Sequence, residues 1–391
     1  MTGDPRAAFD RFDPHRVPSP CYVVDEARIA DNLAILRDVA DRSGARILLA
    51  LKAFSMFALA PLVRTHLHGT CASGLFEARL GREEFGGAVH TYGAAYREAD
   101  IEGILASSDH IVFNSQAQLE RFRPQVEAER ARRPHLQVGL RINPECPVGD
   151  NRLYDPSAPY SRLGIVGSQL DRDRLQGVSG LHVHNLCEQD FLPLQETVAA
   201  LEEQFADVLP SMQWLNLGGG HHITRTDYQR DALVACIRTL SDRYGLQIYL
   251  EPGEAIAWEA GILVCEVLDT LWNGMPIAVV DTSATAHMPD VIEAPYVPEI
   301  LGAEQPGVEA HTCRIGGQTC LAGDVFGDYS FAEALTPGQR LKIWDAAYYT
   351  MVKTTTFNGI VLPAIALWNS KTDALRVVRS FGYEAFRDRL S

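Results

Sequence analysis

The chain has no long apolar run, no excess of basic residues and no closely spaced pair of cysteines. Without a run of about 18 apolar residues it has no segment suited to span a bilayer, and its N-terminus lacks the basic-then-apolar pattern of a signal peptide. The formal net charge of -15 argues against a nucleic-acid partner, because a phosphate backbone requires a basic surface. The eight cysteines form no CxxC pair that would indicate zinc or a redox dithiol. We therefore expect a cytoplasmic protein without a membrane, nucleic-acid or metal partner.

What the chain contains is typical of an ordinary globular enzyme. Hydrophobic residues make up 46% of the sequence and charged residues 22%. At 391 residues it exceeds what one hydrophobic core usually supports, so two domains are expected.

From residue 21 to about 260 the sequence repeats a short apolar strand, a turn and a longer helical stretch, as at 26–43 and 191–208. Eight strands of a barrel are predicted in ARILLALK, HGTCAS, AVHTYG, HIVFNS, QVGLRIN, GLHVHN, WLNLGGG and QIYLEPG. This order predicts a TIM barrel, although a doubly wound open sheet would alternate in the same way. Polar residues at the predicted C-terminal strand ends favour the barrel, since its active site lies there. They are Lys52, Ser73, Asn143, His184, the glycines at 218–220 and Glu251.

After about residue 262 the pattern changes to short strands separated by Gly and Pro turns, which predicts an all-β domain, a β-barrel or sandwich. The strands are predicted in GILVCEVLDTLW, PIAVVDTS, AHTCRIGGQTCLAGD, QRLKIWDAAYYT and ALRVVRSF. The early segment PCYVVDE is placed with this domain. The predicted division is a barrel at 25–260 and a β domain at 1–24 plus 261–391.

Three motifs on the predicted barrel rim carry reactive groups, each with a plain structural alternative. Lys52 ends the apolar stretch ILLALK, where a desolvated amine stays neutral and can attack an aldehyde; alone it also fits a surface lysine. The glycines of LNLGGGHH let N–H groups approach an anion such as phosphate, although a tight turn would need them too. Glu251 in IYLEPGE could keep a pyridine nitrogen protonated, or cap a turn.

The segment GLHVHNLCE places two histidines on one face of a strand. An imidazole at the rim could stack on a cofactor ring, and His182, the deeper of the two, is the preferred candidate over His184. The alternative is a histidine of the core. In the β domain, GGQTCLAGD carries Cys320 and Asp324, a potential proton donor and a potential partner for a substrate ammonium.

Together and in this order, these motifs resemble the fold-type III pyridoxal-phosphate decarboxylases, the family of ornithine, arginine and diaminopimelate decarboxylases. The resemblance runs from PSPCYVVDE to TTTFNG. It implies an N-terminal α/β barrel, a C-terminal β domain and a homodimer with composite active sites.

The resemblance also implies a role for each motif. Lys52 would carry pyridoxal 5'-phosphate, His182 would stack on its ring and Glu251 would pair with its pyridine nitrogen. Its phosphate would be held by Gly218, Gly219, Gly220 and Tyr349. Cys320 would act as a catalytic proton donor delivered by the partner subunit.

Departures from the family pattern bear on the substrate. Relatives that decarboxylate diaminopimelate carry an arginine after Glu-Pro-Gly and a second in an Arg-Pro-Ala-Leu-Tyr stretch. Here the corresponding residues are Glu254 and Glu293, which would repel a second carboxylate and favour ammonium groups. The segments around them resemble the carboxynorspermidine/carboxyspermidine decarboxylase branch, and Glu254, Asp290, Glu293 and Asp324 would then meet the amines of a polyamine tail.

Other functions fit parts of the pattern. A decarboxylase of ornithine, lysine, arginine or diaminopimelate is the nearest alternative, and the sequence does not separate carboxynorspermidine from carboxyspermidine as substrate. An alanine-type racemase would have an arginine at the pyridine nitrogen instead of Glu251. A cofactor carrier would lack the β domain, and a regulatory homologue would be expected to have lost Lys52 or Cys320.

Overall fold

The computed structural model describes residues 4–149 and 151–391. The chain divides into two compact units, Asn32–Ile256 and the residues up to Asp31 together with Ala257–Ser391. These limits lie a few residues from the predicted ones at 24/25 and 260/261.

The first unit contains a closed ring of eight parallel strands. In chain order, the strands up to residue 250 are β1 Cys21–Asp25, which belongs to the second unit, and then β2 Arg46–Ala50, β3 Gly69–Ala72, β4 Ala88–Tyr92, β5 His110–Phe113, β6 Gln137–Asn143, β7 Ile165–Val166, β8 Gly180–His182, β9 Trp214–Asn216 and β10 Gln247–Leu250. The ring runs β5-β4-β3-β2-β10-β9-β8-β6 and closes by pairing of β5 with β6, while β7 pairs with β6 alone. All eight predicted barrel strands are confirmed, and the closure excludes the open sheet.

Helices follow most of the barrel strands, as the alternation predicts. In chain order the helices are α1 Pro5–Asp10, α2 Glu26–Ser43, α3 Ala60–His66, α4 Leu75–Leu80, α5 Glu98–Ser107, α6 Gln116–Arg132, α7 Phe191–Phe205, α8 Arg230–Tyr244, α9 Glu254–Ala257, α10 Ala284–His287, α11 Asp290–Glu293 and α12 Tyr383–Arg387. Local signals set their ends: the Ser115 hydroxyl accepts the Gln118 N–H at the start of α6, and Gly245, at φ 71°, ends α8. Over residues 4–149 and 151–391 no helix is long and apolar enough to cross a membrane.

Rings fill part of the barrel interior. His90 and His110 stack with centroids 3.7 Å apart, and Trp214 and Tyr249 pack against them. The Trp214 indole fits there because the neighbouring strand β8 has a glycine at residue 180. A Cβ added to Gly180 would lie 2.1 Å from the indole. The barrel is therefore closed by packed rings below its rim.

The second unit contains a mixed sheet. Its later strands are β11 Gly261–Trp272, β12 Pro276–Val280, β13 His311–Gly316, β14 Val325–Phe331, β15 Arg340–Trp344, β16 Ala364–Trp368 and β17 Leu375–Arg379. The sheet order is β14-β13-β12-β11-β1-β16-β17, and β15 also pairs with β11. Strand β1 lies antiparallel to β11 and parallel to β16, so the placement of PCYVVDE in the β domain is confirmed.

Two strands of this sheet, β14 and β16, are absent from the predicted set. The alternation of VFGDYSF is interrupted by Gly327, and AIALW is a short apolar run directly after Pro363. Both become strands because neighbours supply a complete ladder, β13 for β14 and β1 with β17 for β16.

Candidate active site

Lys52 lies just past the end of β2, at the carboxyl end of the barrel strands. The neighbouring residues Leu51 and Ala53 are buried, whereas Lys52 is exposed. The Leu51 N–H still donates to the Cys71 carbonyl of the next strand, so the lysine follows the last ladder contact. The expectation of a desolvated amine is therefore wrong for the chain itself, because the apolar residues of ILLAL are buried whereas the lysine lies beyond the strand end, at the mouth of the barrel.

Glu251 follows β10 at the same end of the barrel, with only 13% of its side chain exposed. Its Oε1 accepts a 2.6 Å hydrogen bond from Asn216 Nδ2, and its Oε2 lies 3.5 Å from His182 Nε2. Burial alone would raise the pKa of Glu251, but the His182 ring and the Asn216 hydrogen bond outweigh it and bring that pKa below its ordinary value. The carboxyl group is therefore ionised at neutral pH.

The two histidines of LHVHN have different surroundings. The His182 side chain is 3% exposed and meets the Tyr92 ring edge-on at 5.3 Å. His184 is partly exposed, and its Nδ1 accepts the Gly219 N–H at 3.0 Å. Burial lowers the pKa of both rings, so both are neutral at neutral pH. Of the two residues, only His184 is partly exposed.

The glycine turn after β9 requires glycine for steric reasons. Gly218 and Gly220 have φ of 71° and 83°, in the left-handed region. A Cβ on Gly219 would lie 2.1 Å from the Glu251 carbonyl oxygen, and one on Gly220 1.9 Å from that of Leu186. The backbone therefore approaches its neighbours more closely than any side chain would allow.

Two N–H groups of this turn already have acceptors in the barrel. Gly218 donates to Asn216 Oδ1 at 2.8 Å, and Gly219 donates to His184 Nδ1. These two N–H groups are therefore already engaged within the barrel.

Glu254 is the first residue of α9 and is 9% exposed. Its Oε1 lies 3.3 Å from His222 Nε2. This residue of the predicted substrate pocket is thus a buried carboxylate beside an imidazole.

In the β domain, the structure brings the predicted motifs GQTCLAGD and TTTFNG together. Cys320 is exposed, and its N–H donates to Asn358 Oδ1 at 2.8 Å. Asn358 has φ of 58°, which an asparagine adopts more readily than most residues. Tyr349 is half-buried with φ of 48°, and its carbonyl accepts the N–H groups of Val352 and Lys353.

Asp324 is held entirely differently from the sequence expectation. It is 4% exposed, and its carboxylate accepts hydrogen bonds from the Ser283 hydroxyl, the Thr285 N–H and both the N–H and hydroxyl of Thr319. These bonds tie the Cys320 loop to the start of α10. The prediction that Asp324 meets a substrate amine is therefore corrected, because donors of the protein itself already occupy both carboxylate oxygens.

Asp290 and Glu293 share one cation. Lys353 Nζ lies 2.6 Å from Asp290 Oδ1 and 2.5 Å from Glu293 Oε2. From the sequence, Glu293 is expected to be an unopposed anion, whereas with Lys353 the group of three carries one net negative charge. Glu293 remains half-exposed, so part of that charge faces water.

Three residues of the barrel mouth are not singled out by the sequence: Asn216, Tyr92 and Arg141. The Arg141 guanidinium lies 4.5 Å from the Tyr92 ring centre, and its Nη2 donates to the His184 carbonyl at 2.9 Å. All three are polar or aromatic residues at or near strand ends in LNLGGG, HTYG and LRIN, which is the only signal that could have found them.

Comparison with known proteins assigns the family. The family described as "Pyridoxal-dependent decarboxylase, C-terminal sheet domain" matches residues 21–347. The chain belongs to the pyridoxal-dependent decarboxylases. The predicted enzyme class and the predicted barrel with a β domain are thereby confirmed, and pyridoxal phosphate is the cofactor of this family.

Curated relatives align over nearly the whole chain. The carboxyaminopropylagmatine decarboxylase of Synechocystis sp. is 42% identical over 376 residues, 96% of this chain and 96% of the relative. The carboxynorspermidine/carboxyspermidine decarboxylase of Campylobacter jejuni is 38% identical over 95% of this chain and 98% of the relative.

Solved structures agree with these relatives. Carboxynorspermidine decarboxylase from Campylobacter jejuni, complexed with norspermidine, matches with a TM-score of 0.87 at 38% identity, over 95% of this chain and 100% of that one. Diaminopimelate decarboxylase from Helicobacter pylori matches with a TM-score of 0.80 at 18% identity, which is similarity of fold.

Proposed function

We propose that this enzyme uses pyridoxal 5'-phosphate to decarboxylate carboxynorspermidine and carboxyspermidine, releasing norspermidine and spermidine in polyamine biosynthesis. The observation that carries the proposal is the nearly full-length similarity to decarboxylases of carboxylated polyamines, with the amine of Lys52 and the carboxylate of Glu251 at one end of the same barrel.

The residues at the barrel mouth fit the cofactor. Four groups lie at adjoining strand ends: a primary amine, an ionised carboxylate, a partly exposed imidazole and a glycine turn with no room for a Cβ. When bound, pyridoxal phosphate supplies an aldehyde carbon that condenses with amines and a pyridine ring that takes up the electron pair released with carbon dioxide.

Each residue then has a defined task. The Lys52 amine would hold the cofactor until the substrate amine takes its place. Glu251 keeps the proton on the pyridine nitrogen, because its carboxylate is ionised and held at Oε1 by Asn216. We assign the ring-facing role to His184 in place of His182, because His184 is partly exposed and His182 is buried.

The phosphate is assigned to the turn of Gly218, Gly219 and Gly220 and to Tyr349. Because the N–H groups of Gly218 and Gly219 already donate within the barrel, its backbone contact falls on Gly220 and the residues that follow. The Cys320 thiol is assigned as the donor of a proton to the substrate Cα after carbon dioxide leaves, supported by its exposed position on a loop tied down by Asp324. As in the family resemblance, we propose a cytoplasmic homodimer in which this thiol comes from the partner subunit.

The tail of the substrate is cationic, and carboxylates are its natural partners. Glu254, Asp290 and Glu293 are proposed to face it. Lys353 offsets one of the two charges at Asp290 and Glu293, so recognition of an ammonium group there depends on the one that remains.

The proposal is tested by measuring carbon dioxide release from a panel of equal concentrations of carboxynorspermidine, carboxyspermidine, diaminopimelate, ornithine, lysine and arginine. We expect kcat/KM for the two carboxylated triamines to exceed that for the other amino acids by at least about 100-fold, the scale of a lost charged contact or two. Comparable turnover of ornithine or diaminopimelate would contradict it.

A second candidate substrate is carboxyaminopropylagmatine, favoured by the 42% identical relative that is named for it. Its tail ends in a planar guanidinium, which binds a carboxylate through two parallel hydrogen bonds, whereas an ammonium is a compact charge. Adding this compound to the panel separates the candidates, because the tail that fits the carboxylates gives the higher kcat/KM.

A further inference from the structure

The surroundings of His182 give it a role at Glu251 rather than on the cofactor ring. Strands β8, β9 and β10 are neighbours, and His182 is the register partner of Asn216. The two side chains approach the Glu251 carboxylate through different oxygens, Asn216 at Oε1 and His182 at Oε2.

The Asn216 contact is itself fixed. Its Nδ2 donates to Glu251 at 2.6 Å, while its Oδ1 accepts the Gly218 N–H at 2.8 Å. The amide therefore cannot flip without losing both bonds, and it holds one carboxylate oxygen in place.

The His182 ring is confined as well. It is 3% exposed, the Tyr92 ring packs against it edge-on, and the Arg141 guanidinium lies over Tyr92. Within the described residues neither ring nitrogen has a hydrogen bond of good geometry, and Nε2 lies 3.5 Å from Glu251 Oε2. A buried N–H without an acceptor is costly, so the Nε2–H form of the ring, whose hydrogen lies on the side of the carboxylate, is favoured.

The charges around the pair are compatible with a neutral imidazole. Lys52 and Arg141 are the cations that act on His182, and Glu251 is the anion. The Cys71 thiol also contacts Glu251, and burial raises the pKa of that thiol well above its ordinary value, so it adds no second anion.

We infer that His182 is a positioning residue: with Asn216 it clamps Glu251 from both oxygens, so that the carboxylate keeps one orientation towards the cofactor nitrogen. The inference rests on the proposed function, since it takes Glu251 as the partner of that nitrogen. It assigns His182 no contact with the substrate.

The first test needs no cofactor. In the apo-protein labelled with nitrogen-15 at histidine, the side-chain nitrogen resonances of His182, identified by their loss in His182→Gln, should report the neutral Nε2–H form between pH 6 and 8. The Nδ1–H form, or a protonated ring in this range, would overturn the inference.

The second test uses the holoenzyme and a pair of variants. His182→Leu removes the donor, whereas His182→Gln keeps a neutral N–H on a side chain of similar reach. We expect His182→Leu to lower kcat by about tenfold or more, as the loss of a group that orients a ligand often does, with little change in KM. It should also make the visible absorbance of the bound cofactor depend on pH near neutrality, and His182→Gln should restore most of both.

His110→Leu serves as the matched control, because it removes another buried barrel histidine whose ring stacks on His90. Wild-type kcat and absorbance in His182→Leu, or equal losses in both leucine variants, would refute the clamp. If His182→Leu does not fold, the His182 nitrogen resonances of the wild-type apo-protein still test the inference.

Failure of the proposed function would be seen separately, as a holoenzyme without visible absorbance or without carbon dioxide release from any member of the panel.

Discussion

Glu251 of the barrel and Asp324 of the β domain are both largely buried carboxylates, and they are held in opposite ways. Asp324 accepts bonds from four donors of its own domain. Glu251 has one short bond, from Asn216, and further contacts with His182 and the Cys71 thiol. A carboxylate whose oxygens accept hydrogen bonds from several donors of the protein stabilises a loop. A carboxylate that is held by one short hydrogen bond can still bind a ligand. Burial and residue type do not distinguish the two roles; the donors around each group do.

The largest expected effect concerns the open amine at the barrel mouth. Lys52→Ala should lower turnover by at least about 1000-fold, because no other primary amine at the described strand ends can hold the cofactor. The holoenzyme should also lose its visible absorbance and its trapping by borohydride. Far-ultraviolet circular dichroism should be unchanged, since the side chain is exposed. Survival of absorbance and trapping would refute the assignment of Lys52.

The next prediction concerns the unsaturated carboxylate. Glu251→Gln should lower kcat by about 100-fold, since a carboxamide does not hold a proton on the pyridine nitrogen. The urea midpoint should change little, because the amide can still accept from Asn216. A steady-state assay beside a urea titration measures both quantities. A large loss of stability with unchanged kcat would place Glu251 with Asp324 as a structural group.

Asp324→Asn is the opposite case. The new NH2 group would face donors instead of supplying an acceptor, so we expect a loss of about 2–4 kcal/mol in the free energy of unfolding. Urea titration of the apo-protein measures it. Thr372→Ala, at an exposed turn of the same domain, is the control for a loop substitution. Unchanged stability with altered KM would restore the substrate role that the structure removes.

A smaller effect extends the comparison to buried histidines. Burial lowers the pKa of His110 to about 4, whereas an unfolded chain protonates histidine near pH 6.5. Between these values only the unfolded state binds the proton, so stability falls as pH falls from about 6.5 towards 4. His110→Gln should therefore reduce the loss of unfolding free energy between pH 7 and pH 5, as measured by urea titration at both values. An identical pH dependence in the variant would contradict the prediction.

The smallest expected effect concerns the carboxylates that share a lysine. Lys353→Gln removes the cation between Asp290 and Glu293 and leaves a stronger negative charge. We expect KM for a carboxylated triamine to fall by about two- to fivefold at low salt and less at high salt, because exposed charges are screened. An unchanged KM at low ionic strength would mean that the tail does not reach these groups.

The barrel strands could be predicted from sequence because each is a short apolar run followed by a polar residue, as in ILLALK and IYLEPG. Strands β14 and β16 could not be predicted in this way, because their ladders depend on partners elsewhere in the chain. At the site, Lys52, Glu251 and the glycine turn could be predicted, because residue type alone implies their chemistry. Asn216 could not, and the prediction for Asp324 was wrong.

The sequence by itself determined which reactive groups this enzyme has and the order in which they follow the strands, since both are local properties of short motifs. Only the tertiary structure decided which groups are open and which are used by the protein. Asn216 and Glu251 are 35 residues apart, and Ser283 and Asp324 are 41 apart. Donors from such distances meet an acceptor only when strands or loops pair in space, so no local pattern reveals whether a carboxylate is saturated or free to act.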